Sequence, residues 1–334
     1  MAVRNACKYR SSLLLFFLLC CSSDFSFATD YDVIVAGSSP VSLMESIYQQ
    51  RCGQSVVVLE KSNRCGGVWG SGTICNVPNV DLCCHNIGRD QRLLNFFADN
   101  LGCKLVLMED PDQIYKSSAV SGEYYFSGGC NELTGNLLQI MHTAGIDLAL
   151  NEELLHLYVD SHAIVHVKTS KREITSKKII LPSHFHVMVD NYPLESSHQL
   201  YKFYHLFLLV EDSAPQKFTT ARKPIEGAMR IMNLTKFTQL KGTNQQLIIL
   251  QISNDCALEE AGGFLEKLKN ADMLSPAALL IRTEKYIYDQ FHRSTAISKL
   301  AQEYPLSVRV ISSGDLHNLN ASLPDWEKVI FLAN

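Results

Sequence analysis

The first regular pattern along the chain is the largely apolar run Tyr31-Asp32-Val33-Ile34-Val35-Ala36, which stops at Gly37. A short apolar run closed by a residue free to turn reads as a strand buried on both faces of a parallel sheet. Ser38 to Ser42 then lead into Leu43-Met44-Glu45-Ser46-Ile47-Tyr48, where apolar residues recur at helical spacing, and Cys52-Gly53 ends that helix. Ser55-Val56-Val57-Val58-Leu59-Glu60 is a second buried strand with an acid at its tip. Strand, tight turn, helix, strand and acid, in that order, make a βαβ unit of the dinucleotide-binding kind.

The same alternation continues. Helices are predicted over Gln91 to Asn100, Asn131 to Ala144 and Ala257 to Leu268. Strands are predicted over Leu154 to Val159, Ile179 to Leu181, Phe203 to Val210, Leu247 to Ile252 and Val308 to Ile311. The class is mixed α/β. From about Asn191 to Asp289 aromatics and broken strands are denser, which suits a second layer inserted into the first. No internal repeat and no low-complexity segment follows residue 29.

Composition narrows the picture. The 334 residues, 46% hydrophobic and 19% charged, can bury a sizeable core. A net charge of −4 with scattered Lys and Arg offers no basic stripe for nucleic acid. Arg4, Lys8 and Arg10 precede the apolar run Leu13 to Cys21, and Ser26-Phe27-Ala28 gives a small-x-small ending. That is the layout of a secretory signal peptide cleaved near Ala28, since the run is far shorter than the roughly 20 residues that span a bilayer. The alternative is an uncleaved anchor. The expectation is an exported chain starting near Thr29, periplasmic or secreted, with no stable transmembrane anchor after cleavage. Of 11 cysteines, Cys7, Cys20 and Cys21 precede that point, a modest remainder for which export permits disulfides. Cys83 and Cys84 lack a partner pair at zinc-ribbon spacing, so no metal site is expected.

The first turn of a dinucleotide fold needs small residues where backbone meets a pyrophosphate. Here Gly37, Ser39 and Ser42 fill the three places usually held by glycine, with Ser38 and Pro40 between them. Ser39 adds a side chain where the pyrophosphate comes closest, and Ser42 adds one where helix and strand pack. Glu60 is placed to accept hydrogen bonds from an adenosine ribose, against the plainer reading of a strand-capping surface acid.

After Glu60 come Lys61-Ser62-Asn63-Arg64-Cys65-Gly66-Gly67-Val68-Trp69-Gly70-Ser71. This stretch resembles the flavin-containing amine oxidase superfamily, which includes protoporphyrinogen oxidase and whose R-x-G-G-R-x-x-S/T loop wraps the FAD diphosphate. Arg64, Gly66, Gly67 and Ser71 match, while Val68 replaces the second arginine. Phe126-Ser127-Gly128-Gly129-Cys130-Asn131-Glu132-Leu133 is similar to the family's glycine pair at a helix start, and the strand after it would present Leu154 to the adenine. Lys177 to Pro182 resembles the strand that closes the inserted part of the FAD domain. Near the C-terminus Gly314-Asp315 is similar to a pair whose acid reaches the flavin, but no further glycine follows.

The resemblance implies a Rossmann-type FAD-binding domain over 29–190 and 300–334 with an inserted α+β substrate domain over 191–299. It also implies FAD as cofactor, held by Gly37, Ser38, Ser39, Pro40, Ser42, Glu60, Lys61, Arg64, Gly66, Gly67, Val68, Trp69, Leu154 and Asp315. The implied reaction is oxidation of a C–N or C–C bond of a small-molecule substrate. Two rivals remain: a non-catalytic scaffold or binding protein on a degenerate FAD fold, favoured by the serines and Val68, and a non-redox flavoenzyme. Trp69 reads equally as flavin neighbour or packing, and His85 as structural. Arg230 and Asn233 could face a substrate but read better as strand-edge pairing. Asn233-Leu234-Thr235 and Asn320-Ala321-Ser322 match the glycosylation acceptor pattern. No catalytic residue and no oligomeric state follow from the sequence.

Overall fold

A computed structural model describes residues 29–83, 85, 87, 90–108, 123–183, 187–190, 192, 201–216, 218, 220–222, 225–252, 260–290 and 294–311. The expectations for the signal segment, Cys84, Gly314-Asp315 and Asn320 lie outside these residues.

The chain opens with β1 (Tyr31–Ala36), α1 (Pro40–Arg51) and β2 (Val56–Glu60), then a 3-10 turn over Gly67–Trp69. The hairpin β3 (Ser71–Ile74) and β4 (Val77–Asp81) follows, and then α2 (Gln91–Asn95), which runs into a π-turn over Phe96–Asn100. Next come the antiparallel pair β5 (Leu105–Met108) and β6 (Glu123–Phe126), α3 (Cys130–Thr143), β7 (Asp147–Leu150), β8 (Leu154–Val159), β9 (Val165–Thr169), β10 (Glu173–Pro182) and β11 (Met188–Val189). The remainder is β12 (Tyr201–Glu211), β13 (Thr220–Arg222), β14 (Ala228–Asn233), β15 (Gln245–Ile252), α4 (Ala261–Asn270), β16 (Leu279–Gln290), α5 (Thr295–Glu303) and β17 (Val308–Ile311).

The central sheet runs β11-β8-β9-β10-β1-β2-β7. Its middle is parallel: β1 lies between β10 and β2, and β2 continues to β7. The long β10 pairs antiparallel with β9 through Glu173–Ser176 and parallel with β17 through Ile179–Pro182. Alternation along β1 and β2 feeds two cores, as a sheet covered on both faces requires. Val33, Val35, Val56 and Val58 join α1, α3 and β6 on one side; Ile34, Ala36, Val57 and Leu59 join the β8–β9 layer and Ile297 and Leu300 of α5 on the other.

A second, antiparallel sheet of order β13-β14-β15-β12-β16 packs across the first core. Phe207 and Leu209 of β12 and Leu247 and Ile249 of β15 share that core with Val33 and Tyr125, while Leu206, Leu208 and Ile248 turn outward to Phe264 and Leu268 of α4.

Local chemistry sets the boundaries that matter for the site. Helix α1 begins at Pro40 rather than at Leu43. Ser39 is its N-cap, accepting from Ser42 N–H, and Pro40 supplies a helical φ at the first position. Gly37 turns from β1 with φ of 76°, a left-handed value that favours glycine. Arg230 sits on β14 opposite both Arg222 and Gln251, so it is interior to its sheet and not at an edge.

Candidate functional site

The C-terminal ends of β1 and β2, the start of α1 and the Gly66–Gly70 loop converge. Gly37 N–H donates to Leu59 O, and Gly66 N–H donates to Ser38 O at 2.9 Å, tying the loop after β2 to the turn after β1. The loop needs its glycines. Gly66 has φ of 107°, and a Cβ there would lie 3.0 Å from Gly70 Cα and 3.3 Å from Thr134 Oγ1. Gly67 is exposed and also left-handed, with φ of 55°.

The first turn of α1 contains no acidic residue. Of the four leading N–H groups that a helix cannot pair internally, Pro40 has none to offer and Ser42's goes to Ser39 Oγ at 3.3 Å. Those of Ser39 and Val41 remain. Ser39 Oγ also lies 3.0 Å from Ser42 Oγ, and Ser42 is buried. The end of this helix is therefore a positive pole with two donors, half of what an uncapped turn would present.

Glu60, 5% exposed, closes the other side. Its Oε2 accepts from Ser38 N–H at 3.0 Å and Ser38 Oγ at 2.6 Å. Its Oε1 accepts from Ser62 N–H at 2.8 Å and Ser62 Oγ at 2.6 Å. Residues beyond β7 approach the same end, with Asn151 N–H donating to Ser62 O and Glu152 N–H to Glu60 O. Leu154, two residues further, is buried beside Leu59 in the second core.

The remaining sequence candidates are placed as follows. Lys61 is exposed. Arg64 is exposed, and its Nη1 donates to Ser71 O at 3.1 Å. Val68 packs half-buried on the first core. Trp69, 2% exposed, stacks on His85 with centroids 3.8 Å apart and planes 7° apart. The His85 ring nitrogen Nε2 in turn donates to Val68 O at 2.9 Å. Trp69 Nε1 and Thr134 Oγ1 are buried polar atoms with no hydrogen-bond partner. Both belong to residues that border the glycine loop, and such orphans in a folded protein point to a group that completes them.

Sequence reasoning passed over Ser62, Thr134 and Asp81. Ser62 had a local signal, a hydroxyl two residues beyond the strand's acid, able to fold back on it. Thr134 and Asp81 had none, because partners far apart in sequence define their roles. Asp81 sits under α3, accepting from Cys130 N–H at 3.0 Å and from Ser71 Oγ at 2.6 Å. Gly129 leaves it room, since a Cβ there would lie 3.0 Å from both carboxylate oxygens. Burial raises its pKa to about 6 against these bonds. Ser71, which resembles a flavin-loop position, and Gly129, of the glycine pair at the helix start, thus serve this buried acid.

On the far side of the first core, Cys83 Sγ lies 3.8 Å from His205 Nδ1, both side chains buried. Burial lowers the His205 pKa to about 4, so the imidazole is neutral and does not draw a proton from the thiol. Cys52, Cys65, Cys75, Cys103 and Cys130 are free thiols, and among the described residues no group of three or more His, Cys, Asp or Glu is placed to hold a metal. Asn233, a glycosylation candidate by pattern, is 0% exposed. Its Nδ2 donates to Gln246 Oε1 at 2.8 Å and its Oδ1 accepts from Thr235 Oγ1 at 2.6 Å, so the folded chain offers no acceptor there and no substrate contact.

No protein-family model matches the sequence, and no curated protein matches it. Solved structures do match its fold. An oxidoreductase from Methanosarcina mazei superposes with a TM-score of 0.61 at 10% identity, over 85% of this chain and 94% of that one. Putrescine oxidase with putrescine bound gives 0.61 at 11% identity, over 91% and 99%. A Rab GDI from Plasmodium falciparum gives 0.56 at 12% identity, over 90% and 97%. At these identities the likeness is one of fold. The chain shares with them a mixed α/β, Rossmann-like architecture with a mostly parallel central sheet.

Proposed function

We propose that this chain is an FAD-dependent oxidoreductase of the amine-oxidase type, acting on a C–N or C–C bond of a small molecule, in an exported protein. The observation that carries the reading is the convergence of an acid-free helix N-terminus, a left-handed glycine turn and loop, and two orphaned buried donors at the ends of two parallel strands.

The residues fit a dinucleotide in most respects. The Ser39 and Val41 N–H groups and the dipole of α1 suit a diphosphate. Gly37, Gly66 and Gly67 let backbone approach it, and Trp69 Nε1 and Thr134 Oγ1 await an acceptor. Glu60 stands at the ribose position, though Ser38 and Ser62 already fill its carboxylate, and the turn into Leu154 borders the adenine end. Pro40 and Val68 each remove one donor that a fuller site would have. FAD, when bound, supplies the hydride acceptance and the onward passage of electrons; the protein supplies position and shelter from water. No side chain is assigned as a general base, because burial holds the His205 pKa down to about 4 and Asp81 is committed to α3.

The test is the visible spectrum of the purified chain before and after incubation with excess FAD and removal of the unbound portion. Retention of about one flavin per chain is expected. A colourless protein that takes up none would sink the reading. It would favour the alternative, a binding protein without redox chemistry, which the filled carboxylate of Glu60 and the missing donor of Pro40 independently support.

A further inference from the structure

We infer that Ser38 and Ser62 occupy Glu60 in the manner of a ribose diol, so that the sugar edge of this site gains little from a ribose hydroxyl until Ser38 is removed. The inference rests on the nucleotide reading above and concerns how this chain departs from it.

A carboxylate has about four acceptor positions, two on each oxygen. Glu60 has all four filled, by a backbone N–H and a serine hydroxyl on either oxygen. The two hydroxyl contacts are both 2.6 Å, in the short range of charge-assisted bonds. One hydroxyl on each oxygen of a single carboxylate is the pattern two vicinal sugar hydroxyls would make. A ribose entering here exchanges one O–H for another rather than satisfying an empty acceptor.

The two serines differ in what exchange costs them. Ser62 is half-buried and can turn its hydroxyl to water. Ser38 is 1% exposed, so a displaced Ser38 hydroxyl stays in the interior without its acceptor. Ser38 is thus the specificity-determining residue and Ser62 a lesser one. Removing the Ser38 hydroxyl leaves Gly66 N–H its shorter bond to Ser38 O, at 2.9 Å against 3.3 Å to Oγ, and gives up only the weak hydrogen bond between Ser38 and the Cys65 side chain. With Ser38 in place the site accepts nucleotides with or without a sugar diol almost equally.

The experiment is calorimetric titration of the full chain with adenosine diphosphate, 2′,3′-dideoxyadenosine diphosphate and FAD, in wild type, Ser38→Ala, Ser38→Gly and Ser62→Ala. Wild type is expected to bind the two diphosphates within about threefold of each other. Ser38→Ala and Ser38→Gly should tighten the ribose form and FAD about tenfold while leaving the dideoxy form unchanged, and Ser62→Ala should shift the ratio by no more than about threefold. A wild-type preference for the ribose form of tenfold or more, or a ratio unmoved by both Ser38 variants, overturns the inference and leaves the FAD reading standing. Absence of binding by all three ligands in every variant overturns both.

Discussion

Asp81 and His205 are buried in the same core region with pKa values displaced toward one another, to about 6 and about 4. Their contributions to stability have opposite signs. The raised Asp81 favours the protonated native state, so its contribution is full below its ordinary value of 3.8 and is lost as pH rises through 6. The depressed His205 contributes fully above its ordinary value of 6.5 and loses that contribution as pH falls through 4. Each is worth on the order of 3 kcal/mol at most, at about 1.4 kcal/mol per pKa unit, so between pH 4 and 6.5 they largely cancel. Asp81→Asn keeps an acceptor for Cys130 N–H and Ser71 Oγ and removes one side of the balance. Urea melts across that window should give a nearly flat profile for wild type and a stability that climbs with pH by about 3 kcal/mol for the variant. Parallel profiles would show that Asp81 does not titrate there.

Among the elements, α1 is held at both ends of the site by groups of different kinds. Ser39 caps its start, and in its interior Glu45, 0% exposed, accepts from Arg309 Nη1 of β17 at 2.7 Å and from Gln49 Nε2 at 2.8 Å. Arg309→Met removes this ion pair from a buried carboxylate and should cost roughly 3 kcal/mol in denaturant unfolding, most of it restored when Glu45→Gln is added. Equal losses in the single and double variants would mean that packing of the arginine stem, and not charge, is what matters. The elements also differ in how well the chain announces them. β1, β2 and the β17 half of β10 are buried on both faces, and their unbroken Val and Ile runs are plain in sequence. The Glu173–Ser176 half of β10 and the whole of β9 bury one face only, and β7 is four residues long, so none of them stood out. β16 escaped because Arg282-Thr283-Glu284-Lys285 interrupts its apolar residues where the strand lies at a sheet edge. At the site the same division holds. Gly37 and Glu60 stood out by their spacing within one βαβ unit and Gly66 by the family resemblance of its loop, whereas Asp81 and Thr134 take their roles from α3 packing against the glycine loop, some seventy residues away for Thr134.

For the whole molecule, the two sheets do not have separate interiors. Phe207 and Leu209 enter the core that α1 and α3 share, and Tyr125 of β6 meets Phe237 edge to face at 4.6 Å. Phe207→Ala should therefore cost about 3–5 kcal/mol and still leave one unfolding transition, with circular dichroism and tryptophan fluorescence coinciding. Two resolved transitions would indicate that the sheets unfold independently. A common interior also explains how the fold persists at about one identical residue in ten relative to its structural neighbours, since such a core asks for apolar volume in a pattern rather than for particular side chains. Asn233 shows what this arrangement demands of the nascent chain. Its Asn-Leu-Thr triplet can be modified only while β14 is still apart from β15, and a glycan added then could not be accommodated once Asn233 must reach Gln246. In any compartment that glycosylates proteins as they emerge, sheet closure and sugar transfer become competing clocks, and the yield of native molecules is set by which runs faster.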